Sequence, residues 1–196
     1  MTNWQKLLNG EVYNDFSEDL FNRRLKAKKL FRQYNNTDEE SAELRYSILE
    51  KLLGKIGDNV WIEPEFKCEY GTNILIGDKV YINFDCIILD CARVEIHDNV
   101  LIGPRLGIYV ANHSINAEER MNGGCFAKPV VVEEKAWIGG DVKIMGGVTI
   151  GKGSVIGSGS VVTKSIPSGV IAVGNPCRVL RKITKADKTN FTPLLD

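Results

Sequence analysis

Histidine is scarce in this chain of 196 residues: there are two, His97 and His113, too few for chemistry that hangs a metal on three imidazoles. No Walker loop, dinucleotide fingerprint or nucleophile motif appears, and the glycines of IGGD and IGKG return with a repeat, as turn residues do. The five cysteines (Cys68, Cys86, Cys91, Cys125, Cys177) are odd in number and include no CxxC, which argues against a disulfide framework or a zinc site and for a reducing cytoplasm. No apolar run is long enough to cross a bilayer, and MTNWQKLLNG lacks the charged-then-apolar order of a secretory signal. A cytoplasmic protein without a membrane partner is therefore expected. Neither sign of charge is in excess, Lys+Arg and Asp+Glu both being 25, so there is no general case for nucleic acid or an anionic membrane.

What the chain does have is a period. From Val132 to Pro167 an aliphatic residue returns every sixth position: Val132, Ile138, Ile144, Ile150, Ile156, Val162. The next position is often Gly (Gly139, Gly151, Gly157), and the fourth is small or apolar, from Ala136 and Val142 to Ile166. Six fits neither an amphipathic helix nor an alternating hairpin. It fits a parallel β-helix, whose coils bury aliphatic rows against one another. The rhythm begins earlier, at Ile56, Ile62 and Cys68, steps by eight to Ile76, Ile82 and Ile88, and by eight again to Ile96, Ile102 and Ile108. Three strands per coil, with two extra residues at one corner, account for it. Cys68 then fills an aliphatic slot and Cys86 a small one, as core thiols.

Residues 1 to 53 read as helical. Trp4, Leu7 and Leu8 form a short apolar face closed by Gly10; Leu20, Phe21, Leu25, Leu30, Phe31 and Tyr34 form a second. Thr37 to Glu40 resembles a capping box opening a third helix with the stripe Leu44, Ile48, Leu49, Leu52, Leu53, stopped by Gly54. The charges Arg23, Arg24, Lys26, Lys28, Lys29 and Arg32 are expected on solvated helix faces. Residues 170 to 185 are expected to cover the last coil.

Between Ile108 and Val132 the period is lost, over an interval far longer than a corner turn. Long connections inside compact repeats tend to be functional. His113 stands at the root of this extruded loop, whereas His97 takes a corner slot facing water. Histidine is the commonest general base near neutral pH, which makes His113 the candidate, although a structural role is equally open from spacing alone.

The hexapeptides, together with INFDCIILDCARVEIHDNVLIGP, the loop segment NHSINAEER, the closing VGNPCRVLRKI and the N-terminal LLNGEVYND…LFNRRLKAKKLFRQYNNT, resemble the maltose/galactoside O-acetyltransferases over residues 2 to about 185. The resemblance implies a mainly β fold, a left-handed parallel β-helix with an N-terminal helical segment and an extruded loop. Its parts would be a helical acceptor-side segment over 1–55, the β-helical acyltransferase domain over 56–185 with the loop 110–130, and a tail over 186–196. It implies acetyl-CoA as co-substrate, a sugar or glycoside acceptor, a homotrimer with sites between subunits, and no metal or redox cofactor. Residue by residue, His113 matches the catalytic base, Asn83 an active-site asparagine, and Tyr81, Asp15 and Arg24 positions near the acceptor. Trp137, Gly139 and Gly140 match the wall beside the pantetheine arm, Ser158, Thr163 and Lys164 contacts further along, and Arg178 and Arg181 cations near the adenosine phosphates.

The chain departs from the family pattern at Ser114, where proline commonly follows the histidine, near Gly124, where an acidic residue is usual, and at Glu69 and Cys91. These departures bear on the acceptor rather than on acyl transfer. Two rival readings are a β-helical hydratase of the γ-carbonic-anhydrase type, which lacks its third histidine here, and a non-catalytic scaffold whose loop binds a partner.

Overall fold

A computed structural model describes residues 1–189, 191 and 192; of the expected tail over 186–196, positions 190 and 193–196 lie outside the described residues. From Trp61 the chain winds into a parallel β-helix with three faces. We name them by one buried residue each. The Ile76 face stacks Ile74–Ile76, Val94–Ile96, Val130–Val132 and Thr149–Ile150. The Ile82 face stacks Trp61–Ile62, Tyr81–Ile82, Leu101–Ile102, Trp137–Ile138, Val155–Ile156 and Val170–Gly174, with Cys177–Lys182 added antiparallel at its end. The Ile88 face stacks Lys67–Cys68, Ile87–Leu89, Gly107–Tyr109, Lys143–Met145 and Val161–Val162.

The six-residue period is the register of these ladders. Ile62, Ile82, Ile102, Ile138 and Ile156 are direct partners down one face. Cys68, Ile88, Ile108, Ile144 and Val162 run down another, and Ile76, Ile96, Val132 and Ile150 down the third. Every one of these side chains is at most 5% exposed, so the columns are the core. Each buried aliphatic contributes about 1.5–3 kcal/mol of hydrophobic stabilisation, which lets strands of two or three residues persist. All five cysteines are buried and free, Cys68 in its aliphatic slot and Cys86 in its small one.

The helical segment closes the first coil. It comprises α1 (Asn3–Leu8), α2 (Glu18–Asn35) and α3 (Ala42–Leu52). Tyr34 of α2 and Arg45 of α3 both donate to the carbonyl of Ile62, Arg45 Nη2 at 2.7 Å, and thereby occupy a backbone acceptor that the top of the stack would otherwise leave open. Asn35 holds Phe66 by both its amide (3.0 Å) and its carbonyl (2.9 Å).

Three helical details differ from the sequence reading. Thr37 does not open α3: its hydroxyl donates to the carbonyl of Tyr34 at 2.6 Å and accepts from Arg45, so it closes α2, and Ser41 stands at the start of α3. On α2 the buried stripe is Leu20, Ala27, Phe31 and Tyr34, while Phe21 and Leu25 are exposed on its flank. On α3, Leu44 is exposed and Arg45 is buried in its stead, held by the hydrogen bonds just described. No helix among the described residues is long and apolar enough to cross a membrane.

Candidate active site

The corner between the Ile88 and Ile76 faces is where the chain steps by eight and where it later departs altogether. Asp90 anchors this corner. Fully buried, it accepts from the amides of Glu69 (3.1 Å), Tyr70 (2.8 Å) and Asn73 (3.2 Å) of the preceding coil, which explains how a charge-bearing side chain is tolerated there. One coil later, residues 110 to 128 leave the stack. The sequence reads as a long connection; the structure is an antiparallel hairpin, Ala111–His113 against Gly124–Ala127, with a short helix α4 (Ala117–Met121) at its tip. Tyr13–Asn14 adds a third strand, Tyr13 opposite Cys125 and Asn14 opposite Gly124.

Side chains opposite one another in an antiparallel pair project from the same face of the sheet. His113, Cys125 and Tyr13 therefore share one face. Cys125 Sγ donates to the Tyr13 hydroxyl at 3.1 Å, and both groups are buried, whereas His113 is exposed. Burial above all, then Cys91 and Cys125, pushes the Tyr13 pKa up; burial also raises the Cys91 and Cys125 thiols. These groups stay protonated and are not nucleophiles.

Arg24 is closed off beside this sheet. Its Nε donates to Glu69 Oε1 at 2.5 Å, its Nη1 to the Asp15 carbonyl at 3.1 Å, and its Nη2 pairs with the Asp15 carboxylate. Asp15 itself donates its amide to Gly123 at the hairpin (2.9 Å), which ties the ion cluster to the strand opposite His113. Two departures from the family pattern explain each other here. Ser114 donates its amide to the Gly124 carbonyl at 3.2 Å, a bond that proline could not make. A Cβ at Gly124 would stand 2.9 Å from the Glu119 carbonyl and 3.1 Å from Ser114 Oγ, so the serine and the glycine fit as a pair.

The remaining candidates lie on another edge. Asn83, Gly103, Gly139 and Gly157 each follow the buried residue of the Ile82 face, and each amide donates to the coil below, forming one column at the corner with the Ile88 face. A Cβ at Gly139 would stand 2.7 Å from the Ser158 amide, and one at Gly103 2.6 Å from the Gly140 amide, so glycine is required by the close approach of coils. Tyr81 and Trp137 project from the adjoining Ile82 face, in one ladder with Leu101; Trp137 is 54% exposed. Tyr81 donates to Glu63 at 3.1 Å, and burial, then Glu63, raises its pKa. Arg178 and Arg181 stand on the strand that ends this face, Arg181 paired with Asp187 at 2.6 Å. Thr163 and Lys164, exposed, follow Val162 and so lie on the His113 edge instead.

Within one chain the candidates thus form two groups, separated by the Ile88 face. His113, Asp15, Arg24, Thr163 and Lys164 belong to one edge; Tyr81, Asn83, Trp137, Gly139, Gly140, Ser158, Arg178 and Arg181 belong to the other and its adjoining face. Among the described residues no cluster of three His, Cys, Asp or Glu side chains could hold a metal ion. Reasoning from sequence missed Tyr13 and Cys125, because a two-residue strand leaves no periodic signal, and it missed Glu69 as the partner of Arg24.

Comparison with known proteins agrees with this architecture. Residues 6–57 match the model of the maltose acetyltransferase hexapeptide capping motif, and residues 129–164 the bacterial transferase hexapeptide (six repeats). The galactoside O-acetyltransferase of Escherichia coli is 41% identical over 184 residues, covering 94% of this chain and 91% of the relative. The chain belongs to the maltose/galactoside O-acetyltransferase family. A maltose O-acetyltransferase of Clostridium difficile superposes with a TM-score of 0.92 at 45% identity, over 94% of this chain and 99% of that one. A galactoside acetyltransferase in complex with coenzyme A gives 0.92 at 39% identity, over 98% and 96%.

Proposed function

We propose that this member of the family transfers an acetyl group from acetyl-CoA to a hydroxyl of a sugar or glycoside, with His113 as general base. The observation that carries the reading is an exposed imidazole on a hairpin that leaves an otherwise regular stack. An alcohol is a poor nucleophile at neutral pH. The imidazole takes its proton as the oxygen attacks the thioester carbonyl, and the resulting oxyanion needs an amide donor. Collapse breaks the C–S bond, leaves the acetyl ester, and returns the proton to the coenzyme A thiolate.

In this reading Asn83, Tyr81, Asp15 and Arg24 serve the acceptor. Trp137, Gly139, Gly140, Ser158, Thr163 and Lys164 line the pantetheine groove, with Arg178 and Arg181 at the phosphates. Because the two groups sit on different edges, a complete site takes the His113 edge of one copy and the Asn83 edge of the next. A cyclic homotrimer, the assembly expected from the resemblance, provides that three times over. A cytoplasmic setting, where acetyl-CoA and reduced thiols are available, fits five free cysteines. The test is release of free coenzyme A with a panel of glycosides: His113→Ala should abolish it while acetyl-CoA still binds, and an active variant would refute the role of the imidazole.

A further inference from the structure

We propose that Glu69 sets the charge class of the acceptor, making the pocket anionic so that neutral or amine-bearing sugars are acetylated and phosphorylated or carboxylated ones are refused. The inference rests on the acetyl-transfer reading above. Recognition of a phosphate or carboxylate uses the guanidinium fork, two parallel N–H groups on two oxygens. Arg24, the acceptor-side cation, has no free fork: Glu69 takes Nε, and Asp15 takes Nη1 by its carbonyl and Nη2 by its carboxylate. Its guanidinium also lies 5.6 Å from the Tyr70 ring. One cation against two carboxylates leaves a formal charge of −1 (+1 − 2).

Exposure decides which sign a ligand meets. The Arg24 side chain is 14% exposed, Asp15 and Glu69 24% each, so the two carboxylate side chains are the more accessible members of the cluster. Two further cations near the cluster, Arg23 and Arg120, are engaged elsewhere. Arg23 stacks 4.1 Å from the Trp4 ring, and Arg120 donates to the carbonyls of Ser114 (2.8 Å) and Ile115 (3.0 Å) at the hairpin tip. Tyr13, Tyr70, Cys91 and Cys125, all held protonated by burial, are neutral and leave that net charge unchanged. The cluster is tied to the hairpin that bears His113: the Asp15 amide donates to the Gly123 carbonyl at 2.9 Å, and the adjoining strand pairs Tyr13 with Cys125, the residue opposite His113.

The experiment measures coenzyme A release with methyl glucoside, methyl glucosaminide, methyl glucuronide and glucose 6-phosphate, for the wild type and for Glu69→Gln and Glu69→Ser. Wild type should use the neutral and amine-bearing acceptors at a kcat/KM about tenfold or more above the anionic ones, mostly through KM. That ratio should narrow in Glu69→Gln and Glu69→Ser, and in wild type on raising salt. The salt series decides the matter even if neither variant folds. Equal use of glucuronide and glucosaminide by the wild type, or a ratio unmoved by either the substitutions or salt, would overturn the proposal. Absence of thiol release with all four acceptors would instead count against the transfer reading itself.

Discussion

At the edge that carries Asn83, coil after coil turns in four residues: Asn83 to Cys86, Gly103 to Leu106, Gly139 to Val142, Gly157 to Ser160. The third residue is left-handed each time (Asp85, Arg105, Asp141 and Gly159, φ between 59° and 74°) and the fourth is buried. At the edge that carries His113 no such sequence of turns exists. Asp90 organises one passage by accepting three amides, and at the next the chain extrudes a hairpin that recruits a strand from near the N-terminus. The regular edge is fixed by close approach of backbones, and it can offer chemistry only by exchanging a slot, as Asn83 does directly above Gly103, Gly139 and Gly157. The irregular edge is fixed by buried polar bonds and long-range pairing, which frees side chains such as His113 to face outward.

Substitutions on the two edges should therefore fail differently. The largest effect is expected from His113→Ala, a loss of about 10²–10⁴ in turnover, with the thermal midpoint held near that of the wild type because the ring is exposed. Asp90→Ala should cost about 2–3 kcal/mol in urea unfolding, because the buried amides of Tyr70 and Asn73 lose their acceptor, while the Glu69 amide keeps the Ile88 carbonyl at 3.2 Å. If the cost were no larger than that of a surface change, Asp90 would not be what shapes this corner. Gly103→Ala tests the regular edge. Its new Cβ would lie 2.6 Å from the Gly140 amide, and overpacking of this kind costs about 1–3 kcal/mol without altering acceptor preference.

The same contrast explains what could be read from sequence. Ile82, Ile102 and Ile138 mark their face because every coil must bury an aliphatic side chain in the inward column, and the six-residue step holds wherever the corner keeps its four-residue turn. His113 was legible as a departure from that spacing. Its surroundings were not: Tyr13 and Cys125 are 112 residues apart, and a pairing so distant leaves no local pattern. The same holds for Arg24 and Glu69, 45 residues apart, where the charge on α2 looked like a solvated face and became an ion cluster. Thr37 misled because a hydroxyl that can cap the next helix can equally donate to the last carbonyls of the previous one, and here Tyr34 is nearer.

The central claim is that one working site takes its imidazole from one copy of the chain and its asparagine from another. Co-assembly of His113→Ala with Asn83→Ala, each nearly inactive alone, measures this directly by free coenzyme A release after subunit mixing. With equal amounts and random assembly, about a quarter of the sites receive both intact groups, so about a quarter of wild-type activity should return. A verified mixed assembly no more active than its parents would place both groups of a site in a single chain and contradict the account.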